Sequence, residues 1–370
     1  MPQLEAWEKV FLSDEDFITS THGSIGCISC HGGTSGTDDM EAAHVGTSRD
    51  PAASGACAFC HDDTTHTQTN SLHMTLAGYD KVLEERSSPE LSDGLQEAFD
   101  NHCTSCHASC GQCHVSRPTT AGGGLMAGHE FKELPPMNLT CTGCHGSRVN
   151  DEYKGKNVTA DGMTIPADVH FNPGGMACLD CHEEAEIHGD VPPENQTHRY
   201  DGTPDVLCTD CHPLEELLGS NPQHTEFHLE NLTCQVCHSV DLKSCYSCHV
   251  QKSDEGVPYY KTEPSQMTFA IGMNALKSAE RPWSYTVLRH VPVDRDSFGY
   301  YGDNLLPNFD ARSTWAYATP HNIQLHTPQN ASCDSCHGNA DIFLTSDKVD
   351  SDELEANRPV IVEQIPFTMP

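Results

Sequence analysis

Residues 102–118 read HCTSCHASCGQCHVSRP. Two Cys-x-x-Cys-His units stand almost end to end here, Cys103–His107 and Cys110–His114, with Ala108 and Ser109 between them. A Cys-x-x-Cys pair alone is ambiguous: it can be half a zinc site, part of an iron–sulfur site or a redox dithiol. A His directly after the second Cys points instead to covalent c-type haem. Two thiols three residues apart fall on one side of a single turn and reach the two vinyl edges of one porphyrin. The next side chain then points over the ring centre, where its imidazole can bind iron.

The unit recurs along the whole chain. The first is Cys27, Cys30 and His31; the second is Cys57, Cys60 and His61. The opening pair supplies the third (Cys103, Cys106, His107) and the fourth (Cys110, Cys113, His114). Then come Cys141, Cys144 and His145; Cys178, Cys181 and His182; and Cys208, Cys211 and His212. Cys234, Cys237 and His238, then Cys245, Cys248 and His249, and last Cys333, Cys336 and His337 complete ten. Ten units consume all 20 cysteines and leave none for a disulfide or a catalytic thiol. A zinc-ribbon array would pair its units and would not demand a His after every one. The expectation is ten covalently attached haems, with the cysteines as anchors and the ten motif histidines on iron.

With 370 residues the chain has about 37 per haem, too few to give each its own domain of ~50 residues or more. Apolar content is 36 %, and setting aside the anchoring cysteines leaves roughly 31 %, low for a self-sufficient core. Disorder is the plain reading of that composition, but porphyrins would supply the missing apolar surface. The expected fold is mostly irregular coil with short α-helices wrapped around a stacked haem array, with little or no β-sheet.

The balance of 20 basic against 54 acidic residues gives a net charge of −34. Nucleic acid is not expected as a partner, because affinity there comes from Lys and Arg against phosphate. The acidic surface is a solvated face, or a docking face for basic partners or metal cations. Negative charge near haem iron favours the ferric state and lowers the potential. No apolar run approaches ~18 residues, so no membrane span is expected. MPQLEAWEKV lacks the basic start of a signal peptide. Because c-type haem is normally attached outside the cytoplasm, the chain reads as exported and processed, extracellular or at the cell surface. Sequons at Asn138, Asn157, Asn195, Asn231 and Asn330 are a mild excess over chance.

Four zones follow. Residues 1–26 read as a helical lead-in, with Leu4, Trp7 and Phe11 on one face. Residues 27–249 carry nine units with Gly/Pro-rich links. Residues 250–332 carry none, yet are dense in aromatics from Tyr259 to Tyr317, and read as a strap donating histidines to iron. Residues 333–370 hold the tenth unit and a tail whose IFL and VIV runs are a candidate inter-subunit contact.

Of 24 histidines, 14 lie outside the units. Ten far-side iron ligands can all be histidine with four to spare, and the candidates are His22, His44, His73, His102, His129, His170, His188, His198, His224, His228, His290 and His321. His66 and His326 are the weakest candidates. Ser88-Pro89 starts a helix that carries Leu91, Leu95, Phe99 and His102 on one face. His224 and His228 share a face at i, i+4 and should serve two different haems. The ten Met residues read as core fillers.

This array resembles the multihaem c-type cytochromes of respiratory and extracellular electron transfer, over residues 27–337. HCTSCHASCGQCH and CQVCHSVDLKSCYSCH are similar to the adjacent-haem pairs of that family, where neighbouring haems lie in contact. The resemblance implies electron conduction between closely spaced, bis-histidine irons. It also implies polymerisation of copies head-to-tail into a filament, passing electrons to redox partner proteins or extracellular acceptors. No catalytic residue is assigned. The alternatives are a multihaem reductase of the nitrite, hydroxylamine or tetrathionate type, a porin-associated conduit, and a soluble carrier. No Cys-x-x-Cys-Lys variant, the mark of the active haem in one nitrite reductase family, occurs here.

The count is open to direct measurement. The denatured, intact protein should exceed the mass of its chain by ten haems, and a stable species carrying eight would exclude the assignment.

Overall fold

The computed structural model describes residues 5, 8, 15–52, 55–87, 92–104, 108–126, 128–189 and 206–367. Cys106, His107, His198, Asn195, Leu4, Trp7, Phe11, Leu91 and the Ser88-Pro89 helix start lie outside them.

Helices among the described residues are short. The two longest, Ala77–Arg86 and Asp93–His102, have ten residues each. Ser92 caps the second by accepting the Leu95 N–H, and Leu95, Ala98, Phe99 and His102 are its buried face. Most motifs are one helical turn. Cys27–His31, Cys110–His114 and Cys234–His238 are α-helical. In the second, fifth, sixth, seventh and tenth motifs the histidine N–H closes back on the carbonyl of the first cysteine, at 2.8 to 2.9 Å. A single turn suffices because a thirteen-atom ring puts the first Cys and the His one above the other.

The chain divides into two compact units. The first comprises Met1–Leu76, Thr104–Gly146 and Cys178–Glu194, and the second Ala77–Cys103, Ser147–Ala177 and Asn195–Pro370. These boundaries do not follow the lead-in, ribbon, strap and tail read from the sequence. They pass between Cys103 and Thr104, inside the third motif.

The first unit has almost no apolar core. Leu76 and Val115 are its buried apolar side chains among the described residues. Ile18, Ile25, Ile28, Val45 and Leu134 are exposed, and Phe59, inside the second motif, is 88 % exposed. Apolar surface left in water at this scale requires a covering group.

The second unit has a core, built on a small antiparallel sheet. Strand β5 (Ala270–Met273) pairs with β6 (Tyr285–His290), and β6 with β7 (Trp315–Tyr317). Ile271 lies opposite Val287 and Ala270 opposite Leu288. Because successive side chains alternate faces, the two pairs seed two clusters. One gathers Val236, Leu242, Ile271, Val287, Ala318, Phe343 and Val362. The other gathers Ala270, Leu288, Trp315, Leu344, Val349 and Val360. Gly272 has no Cβ because one would meet Leu288 Cδ1 at 2.1 Å and the Val360 carbonyl at 2.7 Å. Four further strands make two antiparallel pairs, β1 (Leu242–Lys243) with β4 (Met267–Thr268) and β2 (Cys248–Lys252) with β3 (Pro258–Thr262). Most of the described strand residues thus fall in the strap, which is otherwise irregular.

The tail corrects an expectation. Phe343 bridges Ile271, the Leu344 N–H donates to the Ile271 carbonyl, and the Val362 N–H donates to the Leu344 carbonyl. Phe343, Leu344, Val360 and Val362 are each at most 2 % exposed. The IFL and VIV runs pack Phe343, Leu344, Val360 and Val362 into this unit's own core. Asn157, a sequon residue, is buried.

Leu288 is fully buried between both neighbouring strands. Leu288→Ala should cost ~2–5 kcal/mol by denaturant titration. Leu218→Ala, at an exposed position, should stay within about 0.5 kcal/mol.

Candidate cofactor-binding sites

Each site starts from where a motif histidine points. The turn places its ring, and a hydrogen bond at Nδ1 fixes the ring's rotation. His31 Nδ1 lies 2.8 Å from the Ser48 carbonyl, His114 Nδ1 2.6 Å from that of Lys132, and His238 Nδ1 3.0 Å from that of Gln324. A carbonyl only accepts, so Nδ1 carries the proton and Nε2 keeps its lone pair. His182 Nδ1 is held in the same sense by the Glu186 carboxylate at 2.8 Å. This is how a protein presents a neutral imidazole to a metal.

Seven motif histidines each have a second histidine ring nearby. His61 faces His22 with ring centroids 6.2 Å apart, and His31 faces His129 at 5.8 Å. His145 faces His73, and His114 faces His188, both at 6.2 Å. In the second unit His212 faces His170 at 6.3 Å, His238 faces His224 at 6.2 Å, and His337 faces His228 at 6.1 Å. Every pair joins one motif histidine to one histidine outside the motifs. His224 and His228 serve two different motifs.

The separation is more informative than the pairing. Across these pairs the interplanar angle runs from 22° to 84°, while the separation stays within 5.8 to 6.3 Å. Ring pairs elsewhere spread more widely, from His22 on Phe131 at 3.9 Å to Phe17 on Phe131 at 6.2 Å. A distance independent of angle is what a bridging atom imposes. Iron bonded to two opposed imidazoles at about 2.0 Å, plus about 1.1 Å from nitrogen to centroid, separates the rings by about 6.2 Å. The residues fit haem iron.

The histidines outside the motifs are oriented as well. His170 Nδ1 is held by Asp168 at 2.8 Å, His228 Nδ1 by the Gln223 carbonyl at 2.7 Å, and His224 Nδ1 by the Ser220 hydroxyl at 2.9 Å. Gly189, in the left-handed region, ends the His188 helix where a Cβ would strike Ser71 N at 2.7 Å. Burial lowers the pKa of His22, His129 and His238 and keeps them in the neutral, ligating form. None of these orienting residues carries a sequence signal. Only the spacing of the motifs does.

The thiols also meet across motifs. Cys57 hydrogen-bonds with Cys110, Cys141 with Cys178, and Cys208 with Cys234. Cys113 lies near Cys144, and Cys237 near Cys336, the latter two packed on one apolar cluster. Burial pushes the Cys113 and Cys237 thiols up to about 11 each, so neither is a thiolate at neutral pH. The described cysteines form no disulfide.

The fourth motif thus abuts the second through Cys110, a contact that the tandem spacing with the third motif does not foretell. Some expected ligands have other partners. His102 Nε2 lies 2.8 Å from the Tyr301 hydroxyl, with the rings of Tyr260 and Tyr301 edge-on to it. His290 Nε2 lies 2.9 Å from Glu353 Oε2, with its ring stacked on Trp315. The strap does not present His290 to a motif histidine. His321 donates its backbone N–H to buried Glu152, which also pairs with Arg289 at 2.7 Å. His44, His66 and His326 are exposed.

A scan against protein-family models finds no matching family, and comparisons with curated proteins and with solved structures find no match.

Proposed function

We propose that the chain is an exported decahaem c-type cytochrome that conducts electrons between closely spaced irons. One observation carries this: seven motif histidines each face a histidine from outside the motifs at a near-constant 5.8–6.3 Å. Haem, when bound, supplies reversible one-electron exchange. The chain's own residues do the rest. Paired cysteines anchor each group at two edges. Paired imidazoles would hold the iron at those seven sites and leave it no position for a substrate, which favours conduction over reductase chemistry. Rings already held by Asp168, Gln223 and main-chain carbonyls need little rearrangement when charge changes.

Contacts between motifs supply continuity. In the first unit the thiols link the second motif to the fourth, the fourth to the fifth and the fifth to the sixth. In the second they link the seventh to the eighth and the eighth to the tenth. Anchors that lie close would bring the groups they hold close as well. The net charge of −34 stabilises oxidised iron and favours low potentials. Among the described residues no helix is long and apolar enough to cross a membrane. The partners proposed are further copies of this chain, redox proteins and extracellular acceptors.

Two measurements test the reading. In the oxidised, haem-loaded protein, His129→Ala should turn about one iron in ten from low-spin to high-spin by electron paramagnetic resonance, whereas His102→Ala and His290→Ala should leave the spin state unchanged. Iron–iron distances from a structure of the loaded protein should make the second and fourth, fourth and fifth, fifth and sixth, seventh and eighth, and eighth and tenth sites neighbours. A high-spin majority in the unaltered protein would favour the reductase reading instead.

A further inference from the structure

Arg117 lies three residues past His114, the histidine of the fourth motif. Its side chain belongs to a residue only 7 % exposed, and its Nε is buried without a hydrogen-bond partner. Other buried arginines are committed. Arg289 pairs with Glu152 at 2.7 Å, and Arg86 donates to the Arg312 and Ser313 carbonyls at 3.2 and 3.4 Å. A guanidinium stays protonated in a protein, and a buried charge is costly unless a counter-charge meets it. The sequence of the first unit holds far more acidic residues than basic ones, yet no described carboxylate is placed against Arg117.

The backbone holds this residue firmly. The Arg117 N–H donates to the Gly124 carbonyl at 2.8 Å, the Met126 N–H donates to the Val115 carbonyl at 3.0 Å, and Ser116 bridges Leu125. The chain turns back between them through Gly122, Gly123 and Gly124, all at positive φ. The loop is packed on the fifth motif: a Cβ on Gly143 would meet Ala121 Cβ at 3.0 Å and Pro118 Cγ at 3.2 Å. The fourth and fifth motifs meet beside it, where the Thr140 hydroxyl donates to the Cys113 carbonyl at 3.4 Å and Cys113 lies near Cys144. A buried cation without a partner thus sits in a fixed loop, next to two adjoining motifs of the same unit.

Resting on the decahaem reading, we propose that Arg117 is the counter-charge for a haem propionate where the fourth and fifth sites adjoin. Haem brings its own carboxylates, and a guanidinium matches a carboxylate with two parallel N–H donors. The pairing is an ion pair and breaks no covalent bond. It fixes the rotation of the group about its cysteine anchors and keeps that propionate ionised. In a chain of net charge −34 it also places one positive charge inside, which raises the potential of that site above its neighbours.

Spectroelectrochemical titration and redox-difference infrared spectra of the haem-loaded protein, with isotope-labelled haem carboxylates, test this. Arg117→Gln, still carrying its haems, should move about one haem in ten to lower potential. It should also perturb a carboxylate band that shifts with the label. Arg117→Lys keeps the charge and should titrate close to wild type, and Arg49→Gln, at an exposed position, should match wild type. A structure of the loaded wild type should place a haem carboxylate within hydrogen-bond distance of the Arg117 guanidinium, a readout that stands even where a variant fails to load. The proposal is overturned if Arg117→Gln titrates as wild type, or if the loaded structure shows no haem carboxylate there. A perturbed band that ignores the label would assign the partner to a protein carboxylate and overturn it too. So would added phosphate that shifts wild type and not Arg117→Gln, which would make the partner a free anion. Each of those results leaves conduction standing, whereas a chain without covalent haem removes both readings.

Discussion

A hydrogen bond from Nδ1 of a histidine to a fixed acceptor governs this molecule. It chooses the tautomer, sets the ring's rotation and aims Nε2. The acceptors come from distant parts of the chain: Ser48 for His31, Lys132 for His114, Gln324 for His238. After the first and fourth motifs the loop does two jobs: it spans to the next motif, and it turns a carbonyl back onto the ring. At the sixth motif a side chain takes this role, Glu186 holding His182 from one helical turn away. An irregular chain can hold these imidazoles in register because such tethers need no regular scaffold.

The two units solve the stability problem differently. The second buries enough apolar side chain around β5 and β6 to fold as an ordinary small core. The first buries Leu76 and Val115 and leaves Phe59 and several isoleucines in water. Hydrophobic burial is the main favourable term in folding, and a unit without it needs another source. Covalent porphyrins, the group proposed here, would cover those side chains and cross-link each turn. The exposed Phe59, between the two cysteines of the second motif, stands where such a ring edge would lie. On this view attachment and folding of the first unit are one event, while the sheet of the second unit can form around its own side chains.

Part of this was legible from the residues: the low apolar content foretold short helices and little sheet, and the surplus of histidine led to an expectation of imidazole pairs, seven of which join a motif histidine to one outside the motifs. His224 and His228, read as donors to two sites, face His238 and His337. What could not be read is long-range. His102 has the periodicity of an inward-facing ligand, and it is inward-facing, but Tyr301 lies some two hundred positions away and arrives at its Nε2. His290 sits in an aromatic-rich stretch and is claimed by Glu353 from the tail. Local pattern tells which side of an element is buried. It does not tell which residue waits there.

The same limit explains why the order of sites in space departs from their order along the chain. The eighth and tenth motifs are close because both are packed on one apolar cluster. Val236, inside the eighth motif, belongs to it, and so does Phe343, six residues past the tenth, through its bridge to Ile271. Gln329 and Asn330, just before the tenth motif, donate to carbonyls of Val236 and Cys237. The ninth motif is excluded from this contact because Cys248 and His249 have been drawn into β2. Sheet pairing and tail packing, both hydrophobic choices, therefore set which motifs adjoin. In this unit the core is not separate from the proposed conductor; the residues that stabilise the fold also decide the route.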